Sequence, residues 1–307
     1  MAGNAGTSTG SEPNSRELPM QPLLGQSTAH IERRLFLVGC PRSGTTLLQS
    51  MLAAHPRIAS FPETHFFERV SPRFAAVGMA SPRRRDRKRL LQFLAEVGHP
   101  EMKNLIPRYP LTLRRSVGAL VEVLDALTLA QGGTVWVEKT PGHLHYIDLI
   151  KAHIPDARII HLVRNGEDVV ASLYEVSTKH PEVWGTPATL EECIARWTGD
   201  LKLTQRYIHK PQHTLVRYEQ LLDRPRSVLT SLCKFIGVEF DPGMLSEHSS
   251  VVQRLVIEGE TWKDSARADG LHRPVVRKFD QIFDQEQQAY IRARMAVSPL
   301  PEDQLDE

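Results

Sequence analysis

Short aliphatic and β-branched runs alternate along this chain with longer stretches in which apolar residues return every three or four positions, the pattern of a parallel sheet flanked by helices. Residues 34–38 (RLFLV), 135–137 (VWV), 159–163 (IIHLV) and 214–216 (TLV) read as strands. Their near-continuous apolar character, without alternation, suits strands covered on both faces. After the first run comes a loop, then Leu47, Leu48, Met51 and Leu52, spaced like the buried side of a helix that stops at His55-Pro56. A strand-loop-helix unit is therefore expected at the start of the ordered chain.

The ends read differently. Residues 1–28 are dominated by Gly, Ser, Thr, Asn and Pro, which bury too little apolar surface to offset ordering, so a disordered tail is expected there. Residues 300–307 read as a short acidic tail, which leaves 29–299 as the domain. From 70 to 130, basic clusters, helically spaced leucines and prolines predict a helical insertion between the first and second strands, on the acceptor side of any site. Within it, 82–89 (PRRRDRKR) reads as a solvated helix face or as a dock for an acidic acceptor. No aromatic residues are interleaved with this run, which argues against nucleic acid.

Composition narrows the class. The 307 residues allow two domains or one large α/β domain, and 41% hydrophobic with 24% charged side chains is ordinary for a globular chain. With 38 basic against 36 acidic side chains the net charge is only +2, so attraction to anions must be local. Cys40, Cys193 and Cys233 lie far apart and suggest neither a zinc ribbon nor a disulfide framework. No apolar run reaches the 18 to 20 residues of a membrane span, and a soluble, cytoplasmic protein is the expectation.

The chemistry starts at 39–46 (GCPRSGTT), between the first strand and its helix, where the two glycines have the spacing of the phosphate-loop pattern G-x-x-x-x-G-K-[ST]. Such a loop aims backbone N–H groups and a helix N-terminus at an anion. The expected fold is thus a P-loop NTPase-like parallel sheet flanked by helices, with a helical insertion. Yet Thr45 stands where that pattern has lysine, and a cation, Arg42, appears three residues earlier. Without the lysine, γ-phosphoryl transfer is disfavoured. The Arg42 guanidinium would present a planar fork to two oxygens of a phosphosulfate, with Thr45 and Thr46 adding hydroxyls. Ser43 and Gly44 complete the cradle; an ordinary turn with Ser43 as helix cap is the plainer alternative.

PRSGTT after a hydrophobic strand, with Arg164 and Ser172 in HLVRNGEDVVAS, resembles the two cofactor-binding motifs of sulfotransferases that use PAPS (3′-phosphoadenosine 5′-phosphosulfate). The likeness runs from residue 36 to about 279. The islands PETHFF, EKTP and VRYEQLLDRP are most similar to the branch that includes protein-tyrosine sulfotransferases and related bacterial enzymes. The second motif also makes sense on its own residues: Arg164 ends a strand, Asn165 caps a helix with acids in its first turn, and Ser172 lies two turns further on the same face. In the family this pair binds the 3′-phosphate. Pairing of Arg164 with Glu167 or Asp168 is the local alternative.

Sulfuryl transfer needs a base for the acceptor's proton and cations for the charge left on the bridging oxygen. Glu63 is the candidate base, beside Phe61, Phe66 and Phe67, which would desolvate it, and the resembling branch places its catalytic glutamate here; His65 is the rival. Lys139, after the strand 135–137, is the candidate for the leaving group, unless Glu138 or Asp148 takes it. Tyr218 matches a nucleotide-contacting tyrosine of the family, or is a core residue. Ser265 and Arg273 are candidate contacts in a C-terminal lid. The 13 histidines form no metal-ligand pattern, and no metal is expected. The acceptor is a small-molecule, glycan or peptide hydroxyl, and PAP is the product.

Overall fold

A computed structural model describes residues 30–70, 84–109, 112–256 and 276–296. The two expected tails, and the lid candidates Ser265 and Arg273, lie outside the described residues. Five parallel strands, β1 (Arg33–Gly39), β2 (Ile58–Ser60), β3 (Val135–Lys139), β4 (Arg158–Val163) and β5 (His213–Arg217), form one sheet in the order β2-β3-β1-β4-β5. Four of them cover the runs read from the sequence. The fifth, β2, was not anticipated: three residues at a sheet edge are too short to show any periodicity. The helical insertion consequently sits between β2 and β3, the second and third strands, and not between the first and second.

The helices needed below are α1 (Thr45–Ala53), α2 (Phe66–Val70), α3 (Arg84–Glu96), α4 (Leu113–Ala130), α5 (Ile147–His153), α6 (Gly166–Lys179), α7 (Pro181–Trp184), α8 (Leu190–Tyr207), α9 (Tyr218–Asp223) and α10 (Pro225–Ile236). Because side chains alternate along a strand, each strand supplies two cores. Phe36, Val38 and Trp136 face one side and pack with Leu90 and Phe93 of α3 and Leu120, Val123 and Leu124 of α4. Leu35, Leu37, Val137, Ile160 and Leu162 face the other and pack with Leu48, Met51 and Leu52 of α1 and Leu229, Leu232 and Ile236 of α10. The insertion is thus one of the two covering layers rather than an appendage.

The basic run turns inward in part. Of 86–89, Lys88 is exposed, but Asp86 and Arg89, one helical turn apart, are buried. Asp86 accepts a hydrogen bond from Ser116 Oγ at 2.7 Å. Arg89 donates to the carbonyls of Thr64 (3.1 Å) and Glu63 (3.3 Å) and pairs with Glu96. A solvated face describes Lys88 but not Arg89, which clamps a loop at the sheet's carboxyl edge, where parallel α/β sheets gather their ligand-binding residues.

Candidate active site

The loop from β1 to α1 is shaped by backbone constraints that its sequence carries. Gly39 has Leu162 O so close that an added Cβ would stand 2.3 Å from it. Arg42 and Gly44 both have positive φ, 73° and 95°, and a side-chain-bearing residue held there is a sign of a functional constraint. The residue that caps α1 is Gly44, not Ser43, and among the described residues no side chain caps the first-turn N–H groups. They remain aimed at one point, as an anion requires. Ser43 is 1% exposed and its Oγ has no hydrogen-bond partner, a polar atom that an oxyanion or water would satisfy. The Tyr218 ring lies 2.3 Å from where a Gly44 Cβ would be, so glycine is needed for that close approach.

On one side of this loop the structure gathers positive charge. Arg42 Nε donates to Ser172 Oγ at 3.1 Å, joining residues 130 apart in sequence. Ser172 is buried on α6, whose cap, Asn165, accepts from Glu167 N at 3.0 Å as its position predicted. Arg164 lies with its guanidinium carbon 4.4 Å over the Tyr218 ring, and its Nη2 is 3.9 Å from Asp168 Oδ2. That carboxylate contact is long, so the local alternative for Arg164 is present only as a loose pair. Burial, and then the charge of Arg164, push the Arg42 guanidinium below its usual value against the pull of Glu175.

The other side is arranged by opposite charges. Lys139 is 2% exposed and donates to Glu63 Oε1 at 2.5 Å and to Thr46 Oγ1 at 3.5 Å. Glu63 Oε2 is 3.4 Å from His65 Nε2, and His65 Nδ1 is 2.8 Å from Glu68 Oε2. Phe61, Phe66 and Phe67 go into the core, so the surroundings of Glu63 include two charged or ionisable partners in addition to the apolar wall expected from sequence. Glu138, next to Lys139, points to the opposite face of the strand, as alternation demands. There it accepts from Thr64 Oγ1 (2.7 Å), Thr140 Oγ1 (2.6 Å) and His143 Nδ1 (2.8 Å). Burial alone would raise the Glu138 carboxyl, but His143 and the two hydroxyls outweigh it and hold it below the ordinary range.

Residues 34–242 match the sulfotransferase family. This chain belongs to it. A protein-tyrosine sulfotransferase of Drosophila melanogaster is 29% identical over 219 residues, which are 69% of this chain and 39% of the fly protein. Protein-tyrosine sulfotransferase 1 of Danio rerio is 26% identical over 224 residues, 69% of this chain and 55% of its own. A nodulation protein of Sinorhizobium fredii is 28% identical over 230 residues, 67% and 50% of the two chains. The chain thus spans about half the length, or less, of these relatives. A mouse sulfotransferase crystallised with PAP superposes with a TM-score of 0.50 at 13% identity, over 87% of this chain and 84% of the mouse one, a likeness of fold.

In this member of the family the described candidates from the sequence fall into one neighbourhood. Arg42, Ser43, Gly44, Thr45 and Thr46 line the loop; Arg164, Ser172 and Tyr218 stand on its β4–β5 side, Glu63 and Lys139 on its β3 side. Arg42 was expected to work beside Lys139 on the sulfuryl group, yet its Nε is engaged by Ser172, in the group around Arg164. A groove of about 630 Å³ at the outer edge of the sheet, lined by His55, Phe61, Pro62, Glu96, Gln131 and Arg254 among others, includes none of these side chains. Converging ionisable groups therefore locate the site better than the size of a groove. Among the described residues no three His, Cys, Asp or Glu side chains are grouped as a metal site, and no helix is long and apolar enough to cross a membrane.

Sequence reading missed three contributors: Arg89, Glu68 and the Glu138 cluster. Strand alternation would have turned Glu138 away from Lys139, and the i, i+3 spacing of Asp86 and Arg89 marks one helix face. Nothing local signals that Arg89 reaches the carbonyl of Glu63, 26 residues away.

Proposed function

We propose that this sulfotransferase moves a sulfuryl group from PAPS to an acceptor hydroxyl, giving PAP and a sulfate ester. One observation carries the reading: a single lysine-less phosphate loop is flanked by two clustered guanidiniums on one side and by a carboxylate-lysine pair on the other. The uncapped α1 N-terminus and the unpartnered Ser43 hydroxyl fit an oxyanion at the loop. Arg164 and Ser172 hold the 3′-phosphate, Tyr218 supports Arg164 through its ring face, and Arg42 adds a second positive charge to the phosphates. Thr45 and Thr46 offer hydroxyls beside the loop.

Bound PAPS supplies an activated sulfuryl group on a phosphate leaving group. Glu63 takes the proton from the acceptor oxygen, and Lys139, which bridges Glu63 to Thr46, presents its positive charge where negative charge builds on the leaving oxygen. The acceptor is a small-molecule, glycan or peptide hydroxyl, approached from the insertion, because Arg89 of α3 holds the loop that carries Glu63. Three free, buried cysteines support a reducing, cytoplasmic setting. Calorimetry with PAP, ADP and ATP tests the nucleotide: PAP should bind at least tenfold more tightly than ADP, and equal affinities would remove the 3′-phosphate site. Incubation with labelled PAPS and a panel of phenols, sugars and tyrosine peptides, read as a mass gain of one sulfuryl group, tests the transfer. PAP binding with no product from any class would leave a nucleotide-binding protein in place of an enzyme.

A further inference from the structure

Glu63 cannot act as a base twice without losing the proton it has taken, and its immediate surroundings are closed: its side chain is 12% exposed and that of Lys139 only 2%. Its two oxygens have different neighbours. Oε1 is taken by Lys139, whereas Oε2 faces His65 Nε2 at 3.4 Å. The opposite nitrogen of that ring, Nδ1, lies 2.8 Å from Glu68 Oε2. Exposure then rises along the line, to 36% at His65 and 35% at Glu68. Resting on the assignment of Glu63 as base, we propose that His65 and Glu68 form a relay that carries the acceptor's proton from Glu63 to solvent.

The contacts specify the direction. An ionised carboxylate only accepts, so the hydrogen between His65 and Glu68 sits on Nδ1, and in the neutral ring Nε2 then has its lone pair toward Glu63. Once Glu63 holds the acceptor proton, its O–H can donate to Nε2. His65 Nε2 then gains that proton as Oε2 loses it, Nδ1 passes its own to Glu68 or water, and the neutral ring, now protonated at Nε2, regains its starting tautomer by proton exchange with water at its exposed edge. No further reactant enters.

The parts are held in place for this. His65 has a positive φ of 48°, and its N–H donates to Thr140 Oγ1 at 3.3 Å. Glu68 packs so tightly on the Gly142 backbone that an added Cβ there would meet Oε1 at 1.8 Å. Burial alone would raise the Glu68 carboxyl, but its hydrogen bond with His65 and the neighbouring imidazole of His143 outweigh it and the repulsion of Glu63, holding it below the ordinary range. Arg196 of α8 also faces Glu68 electrostatically.

Two measurements decide the matter. The first needs no acceptor: ¹⁵N NMR of the histidine-labelled protein with PAP at pH 8, with His65 assigned by the signals lost in His65→Asn. Nδ1 protonated and Nε2 bare is expected, shifting toward the opposite tautomer in Glu68→Gln; Nε2 alone protonated, or both nitrogens protonated, would overturn the relay. The second follows transfer from labelled PAPS to a tyrosine peptide, whose phenol keeps its proton at neutral pH and so needs a base. His65→Gly tolerates the positive φ and opens room for a free ring. It should lower kcat about tenfold with PAP affinity unchanged, and millimolar imidazole should restore most of the loss. An unchanged kcat, or a loss that imidazole leaves in place, would sink the proposal. Glu63→Gln separates the two ideas: if it keeps full transfer the base assignment falls, whereas if it is dead and His65→Gly is fully active the relay alone falls.

Discussion

The two flanks of the phosphate loop are built on opposite electrostatic plans. On the β3 flank each buried charge already has a counter-charge or donors: Lys139 has Glu63, and Glu138 has His143 and two threonine hydroxyls. On the β4–β5 flank two guanidiniums stand close enough for one to depress the other, with Asp168 loosely paired to Arg164 at 3.9 Å and Glu175 pulling against the second charge. A buried pair that balances itself holds catalytic groups in position, whereas a surplus of one sign is an unfilled demand for an anion. The first flank should therefore govern turnover and the second affinity.

The sharpest way to break this division is Glu63→Gln, expected to lower kcat about a thousandfold while PAP affinity in calorimetry stays within about twofold. A matching loss of affinity would show that the β3 flank also holds nucleotide.

Next in size is an effect of acid. Beneath the cationic flank, His161 of β4 and His213 of β5 are hydrogen-bonded at 2.9 Å in the interior. Burial, followed by the charge of the neighbouring His213, pushes the His161 ring down to about 3; burial, followed by Lys151 and Lys210, takes His213 to about 4. Unfolded imidazoles take up protons near pH 6.5 that the folded pair refuses. Stability is therefore complete above that pH and is lost as pH falls from 6.5 toward 4. Thermal melts at pH 7 and pH 5 should differ by roughly 2–4 kcal/mol in stability, and His213→Gln should flatten that slope. Melts independent of pH over this window would mean that the floor under the cationic flank does not exclude charge.

A smaller effect belongs to Arg164→Ala, which should weaken PAP about 10- to 100-fold, the worth of a charge-assisted contact, and ADP only a few-fold. Equal losses for both nucleotides would take Arg164 away from the 3′-phosphate. Smallest is Ser172→Ala. Loss of its hydrogen bond to Arg42 should weaken PAP about three- to tenfold and leave kcat unchanged; a larger effect on kcat would join Arg42 to the catalytic flank.

Much of the fold was legible because it depends on local spacing. Strand runs, the Gly39 and Gly44 positions, the Asn165 cap and the helix of Leu47, Leu48, Met51 and Leu52 each follow from neighbours within a turn or two. β2 escaped because three edge residues have no period, and Arg89 because a basic run conceals which of its members turns inward.

The chemical alphabet of the site was likewise present in the chain: a loop with arginine in place of the usual lysine, one glutamate and one lysine near strand ends, and an Arg/Ser pair two helical turns apart. What no local rule contains is the strand order. With β1 between β3 and β4, the loop that follows β1 receives Lys139 on one side and Arg164 on the other, and this alone brings Glu63 to Lys139 across 76 residues and Arg42 to Ser172 across 130. Spacing fixes which backbone each segment adopts; pairing energy summed over the whole sheet fixes which distant side chains meet.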